Sequence, residues 1–223
     1  MLFPRPANFQ IRPEASSQGV ISMAAAPKPQ PAPKPRMPRL YIENSEKFSD
    51  WLMLEYRHCM QTWESAVFTN VSDRDLFKAL SDRGATVRRS PLAELRDFVP
   101  RRTLALDPEA EKPLRPSDFC THDAIVIGGI LGSEGFTGKT GRLITGKLGC
   151  GARNLGKIQL SIDSAAVVCK LVFLGMRLED IELSAELEIV HDSGHTTVLP
   201  YGYPVLDGKI IFTPGLMEYL RKH

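Results

Sequence analysis

Cysteine is scarce in this chain of 223 residues, and none of its four cysteines belongs to a closely spaced pair. Zinc ribbons and disulfide-stapled folds are built from such pairs, typically with two residues between the cysteines. The spacing of Cys59, Cys120, Cys150 and Cys169 therefore argues against both classes. It predicts free thiols in a reducing compartment.

Long apolar runs are also missing. A helix that spans a membrane needs about 18 consecutive apolar residues, and no stretch of this sequence approaches that length. His191 and His195 flank a glycine-containing turn, but Asp192 is the only carboxylate beside them, which is too few ligands for a metal site. We therefore expect a soluble protein with no membrane partner and no metal.

Acidic residues are nearly absent from the first 40 residues, which hold six Lys or Arg against the single acid Glu14. Nine of the 17 prolines also lie before residue 39. Such a composition cannot bury a core, so residues 1–38 are predicted to be a disordered, proline-rich basic tail. A cytoplasmic protein is expected; the arginines leave a mitochondrial transit peptide open as the alternative, although the prolines oppose an amphipathic helix.

The rest of the chain carries 22 basic and 25 acidic residues, a balance that does not favour strong non-specific binding of phosphates. Short apolar runs alternate here with helical periodicity, which predicts an α/β domain over residues 39–223 with a mostly parallel sheet. The predicted strands are 40–42, 66–69, 103–106, 124–127 and 187–190, and the predicted helices are 48–59, 73–80 and 161–174. We also expect a hairpin at Asp207-Gly208 and a last helix with Thr213 as its N-cap and Pro214 in its first turn.

A glycine-rich motif follows the strongest predicted strand, 124–127. Ligands of open α/β sheets bind beyond the carboxyl ends of the strands, and Gly128 and Gly129 would let a backbone approach a ligand closely. Ile130 and Leu131 could form the floor of an adenine pocket. An ordinary tight turn between strand and helix is the alternative.

Two other glycine motifs fit nucleotide-binding patterns poorly. Gly138-Lys139-Thr140 is reminiscent of a phosphate-binding P-loop, but Ser133 stands where that motif needs its first glycine. Gly149-Cys150-Gly151 would need a third glycine at Asn154 to complete a dinucleotide fingerprint. Neither motif therefore carries a nucleotide-binding prediction.

The run 153–165 joins a polar, glycine-containing loop to a predicted helix. Free N–H groups at the start of that helix could hold polar atoms of a ligand. Alternatively, Ser161 is a plain N-cap and Asp163 a favourable charge in the first turn. Both interpretations stay open at the level of this segment alone.

Four segments together resemble a known family: Tyr41–Glu43, Trp51–Tyr56, Gly128–Gly132 and Arg153–Ala165. They resemble the SPOUT-class S-adenosylmethionine-dependent methyltransferases typified by the fungal protein arginine N-methyltransferase of a small-subunit ribosomal protein. Relatives are often labelled RNA methyltransferases. The similarity spans about residues 39–223 and implies a deep trefoil knot in the C-terminal half of the fold.

The resemblance also implies that three loops hold S-adenosylmethionine. The residues implied at the cofactor are Gly128, Gly129, Ile130, Leu131, Gly132, Arg153, Asn154, Leu155, Gly156, Ile158, Gln159, Leu160 and Ser161. The implied acceptor is an arginine of a ribosomal protein. An RNA acceptor and a catalytically inactive module that docks on ribosomes are the alternatives, and the oligomeric state stays open.

Acidic residues are the candidates for handling the acceptor. A guanidinium holds its proton tightly, and a carboxylate can both orient it and receive that proton. Glu55, on the apolar stripe of its predicted helix, and Asp163 are assigned this role, and Glu55→Gln is expected to abolish transfer while sparing cofactor binding. The alternative for Glu55 is a carboxylate that reaches water at the edge of the stripe. Glu43 and Tyr56 are expected at the substrate, with plain core as the alternative for Tyr56.

Basic residues are concentrated beside these loops. Residues 135–162 contain five Lys or Arg and no acid, namely Lys139, Arg142, Lys147, Arg153 and Lys157. Such a patch could receive a phosphate backbone, which keeps the RNA acceptor open, or it could be simply solvated.

Overall fold

The computed structural model describes residues 36–131, 138–184, 187–191 and 194–222. Nearly all of the predicted tail and one predicted cofactor residue, Gly132, lie outside this range, so the statements about them stay predictions. Within the described residues, no helix is long and apolar enough to cross a bilayer.

A six-stranded sheet forms the centre of the fold, with strand order β3-β2-β1-β5-β4-β6 and every neighbouring pair parallel. Its strands are β1 Arg39–Asn44, β2 Val67–Thr69, β3 Thr86–Val87, β4 Thr103–Leu106, β5 Ala124–Gly129 and β6 Gly151–Arg153. The predicted α/β fold with a mostly parallel sheet is confirmed.

Helices and short antiparallel strands complete the structure. The helices are α1 Asp50–Thr62, α2 Arg74–Ser81, α3 Gly146–Leu148, α4 Ile162–Phe173 and α5 Leu216–Lys222. The further strands are β7 Glu182–Leu183, β8 Leu187–Val190, β9 Thr196–Leu199, β10 Pro204–Leu206 and β11 Lys209–Ile210. β10 and β11 form the hairpin that was predicted at Asp207-Gly208.

Both faces of the central strands are buried, which explains why these strands are continuous apolar runs rather than alternating ones. On one face, Ile42 and Ile125 pack with α1 and α4 in the main core. On the other face, Tyr41 and Val126 pack with a smaller cluster that includes Ile144. Strand β5 is thus held rigidly from both sides, and its carboxyl end is a fixed platform for a site.

The predicted helix starts are right for α4 and wrong for the last helix. The hydroxyl of Ser161 accepts a hydrogen bond from the backbone N–H of Ser164 at 3.3 Å, so Ser161 is the N-cap of α4. Helix α5 begins at Leu216, not at Pro214. Thr213 lies three residues before this start and is not its N-cap; its hydroxyl donates to Asp163 at 2.6 Å in the buried interior.

The connection that follows β4 lies against the chain that leaves β6. The backbone N–H of Asn154 donates to the carbonyl of Lys112, and the N–H of Leu114 donates to the carbonyl of Asn154, both at 2.9 Å. Pro113 and Asn154 form a parallel bridge between these contacts. The trefoil knot implied by the resemblance stays a prediction, and this crossing ties together two segments that border the same cleft.

Candidate functional site

A cleft opens beyond the carboxyl ends of β4 and β5, the edge at which open α/β sheets bind ligands. Its empty space, counted out to the open mouth, is about 880 Å³. Its lining comes from separate stretches of the chain, namely 106–109, 127–128, 130–131, 138–140, 155–156, 158–162 and Ala165. The loops singled out in the sequence therefore meet in space.

Nine of the thirteen predicted cofactor residues line this cleft: Gly128, Ile130, Leu131, Leu155, Gly156, Ile158, Gln159, Leu160 and Ser161. Gly129, Arg153 and Asn154 do not line it, and Gly132 is outside the described residues. Contact of any of them with a cofactor stays a prediction.

The two adjacent glycines of β5 face different neighbours. A Cβ atom on Gly128, in the cleft wall, would lie 2.8 Å from the end of the Ile144 side chain. A Cβ atom on Gly129 would lie 2.2 Å from the Tyr56 hydroxyl and 3.0 Å from Cα of Asn44. Gly129 is therefore required for close packing of α1 against the sheet, while Gly128 lines the cleft.

Arg153 is held outside the cleft by an acidic partner. Its guanidinium donates to both oxygens of Asp118, at 2.8 and 3.1 Å, in a bidentate pair. The two side chains are only 21% and 12% exposed. Arg153 thus joins β6 to the segment before β5, and its charge is not presented to a phosphate backbone.

The two residues predicted to contact the substrate form hydrogen bonds to other parts of the protein. Tyr56 is completely buried, and its hydroxyl donates to the side-chain oxygen of Asn44 at 2.7 Å. Glu43 accepts hydrogen bonds from the Thr69 hydroxyl and from the backbone N–H of Leu92. Burial raises the pKa of Glu43. The core alternative describes Tyr56 in this structure, neither side chain lines the cleft, and their contact with substrate stays a prediction.

The carboxylate of Glu55 is buried, with 2% of the residue exposed, so the alternative of a carboxylate that reaches water is wrong. One oxygen accepts from the indole N–H of Trp51 at 2.6 Å, and the other accepts from the backbone N–H of Ile162 at 3.0 Å. Burial and, to a lesser degree, repulsion from Asp163 raise the pKa of Glu55 to about 8, against the opposing effect of the two hydrogen bonds.

Asp163 is fully buried beside Glu55 and accepts hydrogen bonds from three side chains. The donors are the hydroxyls of Ser161 at 2.7 Å and Thr213 at 2.6 Å, and the ring nitrogen Nδ1 of His58 lies at 2.7 Å. Glu55 and Asp163 therefore hold the beginning of α4 from behind, while Ser161 and Ile162 face the cleft. The two acids predicted to be catalytic do not themselves line it.

Two other carboxylates do line the cleft, although neither was predicted as a functional residue. Asp107 is 6% exposed; its oxygens accept from the hydroxyl of Thr145 at 2.8 Å and from the N–H of Glu109 at 3.1 Å. Glu109 is exposed, and its carboxylate lies close to Gly138 across the cleft. Among the described residues, neither carboxylate forms an ion pair. The sequence does contain a signal for both residues: they lie within three positions after the predicted strand 103–106, just as Gly128 and Gly129 follow the predicted strand 124–127.

Comparison with known proteins decides the family. Residues 39–223 match the family described as SFM1-like protein arginine N-methyltransferases. This chain belongs to that family. The match covers the predicted domain and every described residue of the cleft.

Solved structures of family members resemble the chain over most of its length. The yeast arginine methyltransferase SFM1 complexed with SAH is 26% identical, with a TM-score of 0.74 over 82% of this chain and 94% of that one. SFM1 complexed with SAM is 24% identical, with a TM-score of 0.76 over 86% and 93%.

A more distant structure shares the fold alone. It is a dual-specific Trm10 protein of Thermococcus kodakaraensis, 17% identical, with a TM-score of 0.50 over 64% of this chain and 96% of that chain. A search among curated proteins found no match.

The described cleft has the chemistry that S-adenosylmethionine requires. Apolar side chains of Ile127, Ile130 and Leu155 offer a surface for a purine ring beside the backbone of Gly128. The carboxylates of Asp107 and Glu109 suit a ligand with cationic groups. No group of three or more His, Cys, Asp or Glu side chains among the described residues is arranged to hold a metal ion.

Proposed function

We propose that this protein transfers a methyl group from S-adenosylmethionine to an arginine side chain of a small-subunit ribosomal protein. The observation that carries the proposal is the convergence of three separate loops on one cleft, in a chain of the SFM1-like family. One side of this cleft carries Asp107 and Glu109 and is called the acidic wall below. The ribosomal acceptor rests on the resemblance stated above.

The proposed cofactor residues bind and orient. When bound, S-adenosylmethionine supplies an electrophilic methyl group, so that the protein's main task is alignment of the acceptor nitrogen. The apolar side chains would hold the adenine, and Ser161 and the turn at Gly156 would offer polar contacts. Glu55 and Asp163 would act by fixing the start of α4, which carries Ser161 and Ile162 into the cleft wall.

The acidic wall suits the proposed acceptor. A guanidinium has five N–H donors in a planar fork and remains charged at neutral pH. Glu109, exposed and free of an ion pair within the described structure, could pair with it, and Asp107 adds a second negative charge beside the first. A carboxylate at this place would orient the acceptor nitrogen and could receive the proton that nitrogen loses.

The charges on the described cleft favour a cationic acceptor over RNA. Its lining includes two carboxylates and one ammonium, that of Lys139. Of the other residues of the predicted basic patch, Arg153 is paired with Asp118. A phosphate backbone next to Asp107 and Glu109 would meet repulsion, whereas a guanidinium would meet attraction.

The decisive experiment follows labelled methyl groups. The protein is first titrated with S-adenosylmethionine by calorimetry and then incubated with tritium-labelled cofactor and small ribosomal subunits. RNA and protein are separated before counting, and the protein label is hydrolysed to identify the methylated amino acid. We expect binding heat and label in methylarginine of a ribosomal protein.

The other outcomes sort the alternatives. Label in the RNA fraction, lost steeply with added salt, would replace the proposal with RNA methylation. Cofactor binding without labelled product would leave an inactive ribosome-docking module. Absence of binding heat would refute the cofactor assignment altogether.

The role of the acidic wall has its own variant pair. Glu109→Gln keeps the shape of the side chain but removes its charge, and the KM for the arginine acceptor should rise roughly tenfold, the value of one charge-assisted hydrogen bond. Glu64→Gln, an exposed glutamate outside the cleft, is the matched control and should leave that KM unchanged. An unchanged KM in Glu109→Gln would remove Glu109 from the acceptor site.

A further inference from the structure

Asn154 lies beside the cleft without lining it, and it forms four hydrogen bonds. Its backbone groups pair with Lys112 and Leu114 at 2.9 Å. Its side-chain nitrogen donates to the carbonyl of Ala110 at 2.8 Å, and its side-chain oxygen accepts from the N–H of Gly156 at 3.0 Å. Every polar group of this residue is therefore engaged, and three of the four contacts go to the segment that follows β4.

These contacts also decide which way the amide points. A flipped amide would place the NH₂ group against the N–H of Gly156 and the oxygen against the carbonyl of Ala110, so both contacts would become repulsive. The orientation of the Asn154 side chain thus follows from its two neighbours. The amide donates to one of them and accepts from the other at the same time.

The two neighbours lie in different segments of the chain, and only Gly156 lines the cleft itself. Ala110 follows the segment 107–109, which brings the carboxylates of Asp107 and Glu109 to the cleft. Gly156 lies in the turn that follows β6, lines the cleft, and has a φ of +100°, a conformation that favours glycine. The Asn154 side chain is thus a direct link between the acidic wall and the glycine turn.

We propose that Asn154 is a positioning residue that keeps the acidic wall and the glycine turn at the separation that binding of S-adenosylmethionine requires. The inference rests on the proposed cofactor site but not on the identity of the acceptor. It also gives Asn154 a different role from the direct cofactor contact implied by the resemblance: the residue acts through Ala110 and Gly156.

A positioning role has a distinct kinetic consequence. Without the link, the free protein populates arrangements in which the two walls are not correctly spaced, and the apparent Kd rises in proportion to the loss of the competent arrangement. Saturating cofactor restores that arrangement, because binding draws the population to it. The affinity for cofactor should therefore fall while kcat at saturation is retained.

Two substitutions separate the contacts. Asn154→Ala removes both side-chain hydrogen bonds. Asn154→Asp can still accept from Gly156 but places an oxygen against the carbonyl of Ala110, so it breaks only the link to the acidic wall and makes it repulsive. Asn70→Gly is the matched control: Asn70 donates a similar bond, at 2.7 Å to the carbonyl of Asn44, outside the cleft, and its φ of 58° suits glycine.

The measurements are the calorimetric Kd for S-adenosylmethionine, kcat at saturating cofactor, and hydrogen exchange over residues 107–115 in the protein without ligand. We expect a roughly tenfold higher Kd in Asn154→Ala, as for the loss of two hydrogen bonds, and at least as large an effect in Asn154→Asp. We also expect kcat within about twofold of the unsubstituted protein and faster exchange over 107–115. Asn70→Gly should match the unsubstituted protein in all three.

Other results overturn the inference. If Asn154 touched the cofactor directly, Asn154→Ala would bind the cofactor more weakly, without faster hydrogen exchange in the free protein. Asn154→Asp would then bind more tightly if its new carboxylate met the cofactor's sulfonium. An unchanged Kd in both variants also refutes the role, whereas failure of the unsubstituted protein to bind cofactor refutes the proposed function instead. If Asn154→Ala does not fold, Asn154→Asp carries the same test.

Discussion

Glu55 should make the stability of this protein depend on pH, and Glu55→Gln should remove that dependence. In the unfolded chain this carboxyl has a pKa near 4.5, whereas in the folded protein burial and Asp163 raise it to about 8. Between these values the folded state holds one proton that the unfolded state has released. The free energy of unfolding must therefore fall as the pH rises from about 5 to 8, and it levels off on either side.

The size of the effect follows from the linkage. One proton of difference changes the free energy of unfolding by about 1.4 kcal/mol per pH unit, so two units within this window amount to roughly 2–3 kcal/mol. The substituted glutamine would not titrate, but its NH₂ group would face one of the two N–H donors, of Trp51 and Ile162, at a cost of about 1–3 kcal/mol. The variant should thus be less stable than the unsubstituted protein at pH 5.5 and should draw level with it, or exceed it, near pH 8.

Urea unfolding at half-unit steps from pH 5.5 to 8.5 measures this difference. Urea is preferable to guanidinium chloride here because it adds no ionic screening. The exposed-site variant Glu64→Gln provides the baseline, and groups that titrate alike in both proteins cancel in the difference. A gap between Glu55→Gln and the unsubstituted protein that stays constant across this range would refute a raised pKa for Glu55.

Gly129→Ala should cost at least about 1–3 kcal/mol of stability, because its Cβ would lie 2.2 Å from the Tyr56 hydroxyl. Gly128→Ala meets only side-chain atoms of Ile144 and Ile130 and should cost less. Because Ile130 lines the cleft, this variant should also weaken cofactor binding measured by calorimetry. Equal melting temperatures for the two variants would contradict this packing. Asp118→Asn weakens the bidentate pair with Arg153 and, since both side chains are partly exposed, should lower the unfolding free energy by about 1–2 kcal/mol in urea titrations. The same variant should leave the cofactor Kd unchanged, because the Arg153 side chain neither lines the cleft nor bonds to a residue that does.

The main strands could be predicted because burial on both faces leaves a continuous apolar run in the sequence. Residues 103–106 and 124–127 are of this kind, and the structure has β4 and β5 there. Strand β6, Gly151–Arg153, has no such run and was not predicted, since its strand character comes from pairing with β4. The last helix was placed too early because Thr213-Pro214 is a good local start, while tertiary contact with Asp163 uses the Thr213 hydroxyl.

Part of the cleft could also be predicted, because it lies at the ends of these buried strands. Glycines after a buried strand are a local signal, so Gly128 was found, and the same rule applied to β4 would have found Asp107 and Glu109. The burial of Glu55 was also expected from its position on the apolar stripe of its helix. Its hydrogen bond to the N–H of Ile162 was not, because a contact between residues 107 positions apart leaves no periodic trace in either segment.

Asn154 shows why a motif can locate a site and still misassign its residues. A resemblance transfers positions, and the run 153–165 does supply much of the cleft wall. It does not say which positions face the ligand, and that depends on what crosses behind them. Here the segment that follows β4 crosses at Asn154 and takes up three of its four polar contacts. Both ends of its amide and both of its backbone groups are hydrogen-bonded away from the cleft, so we expect its effect on binding to be transmitted through the walls that it joins.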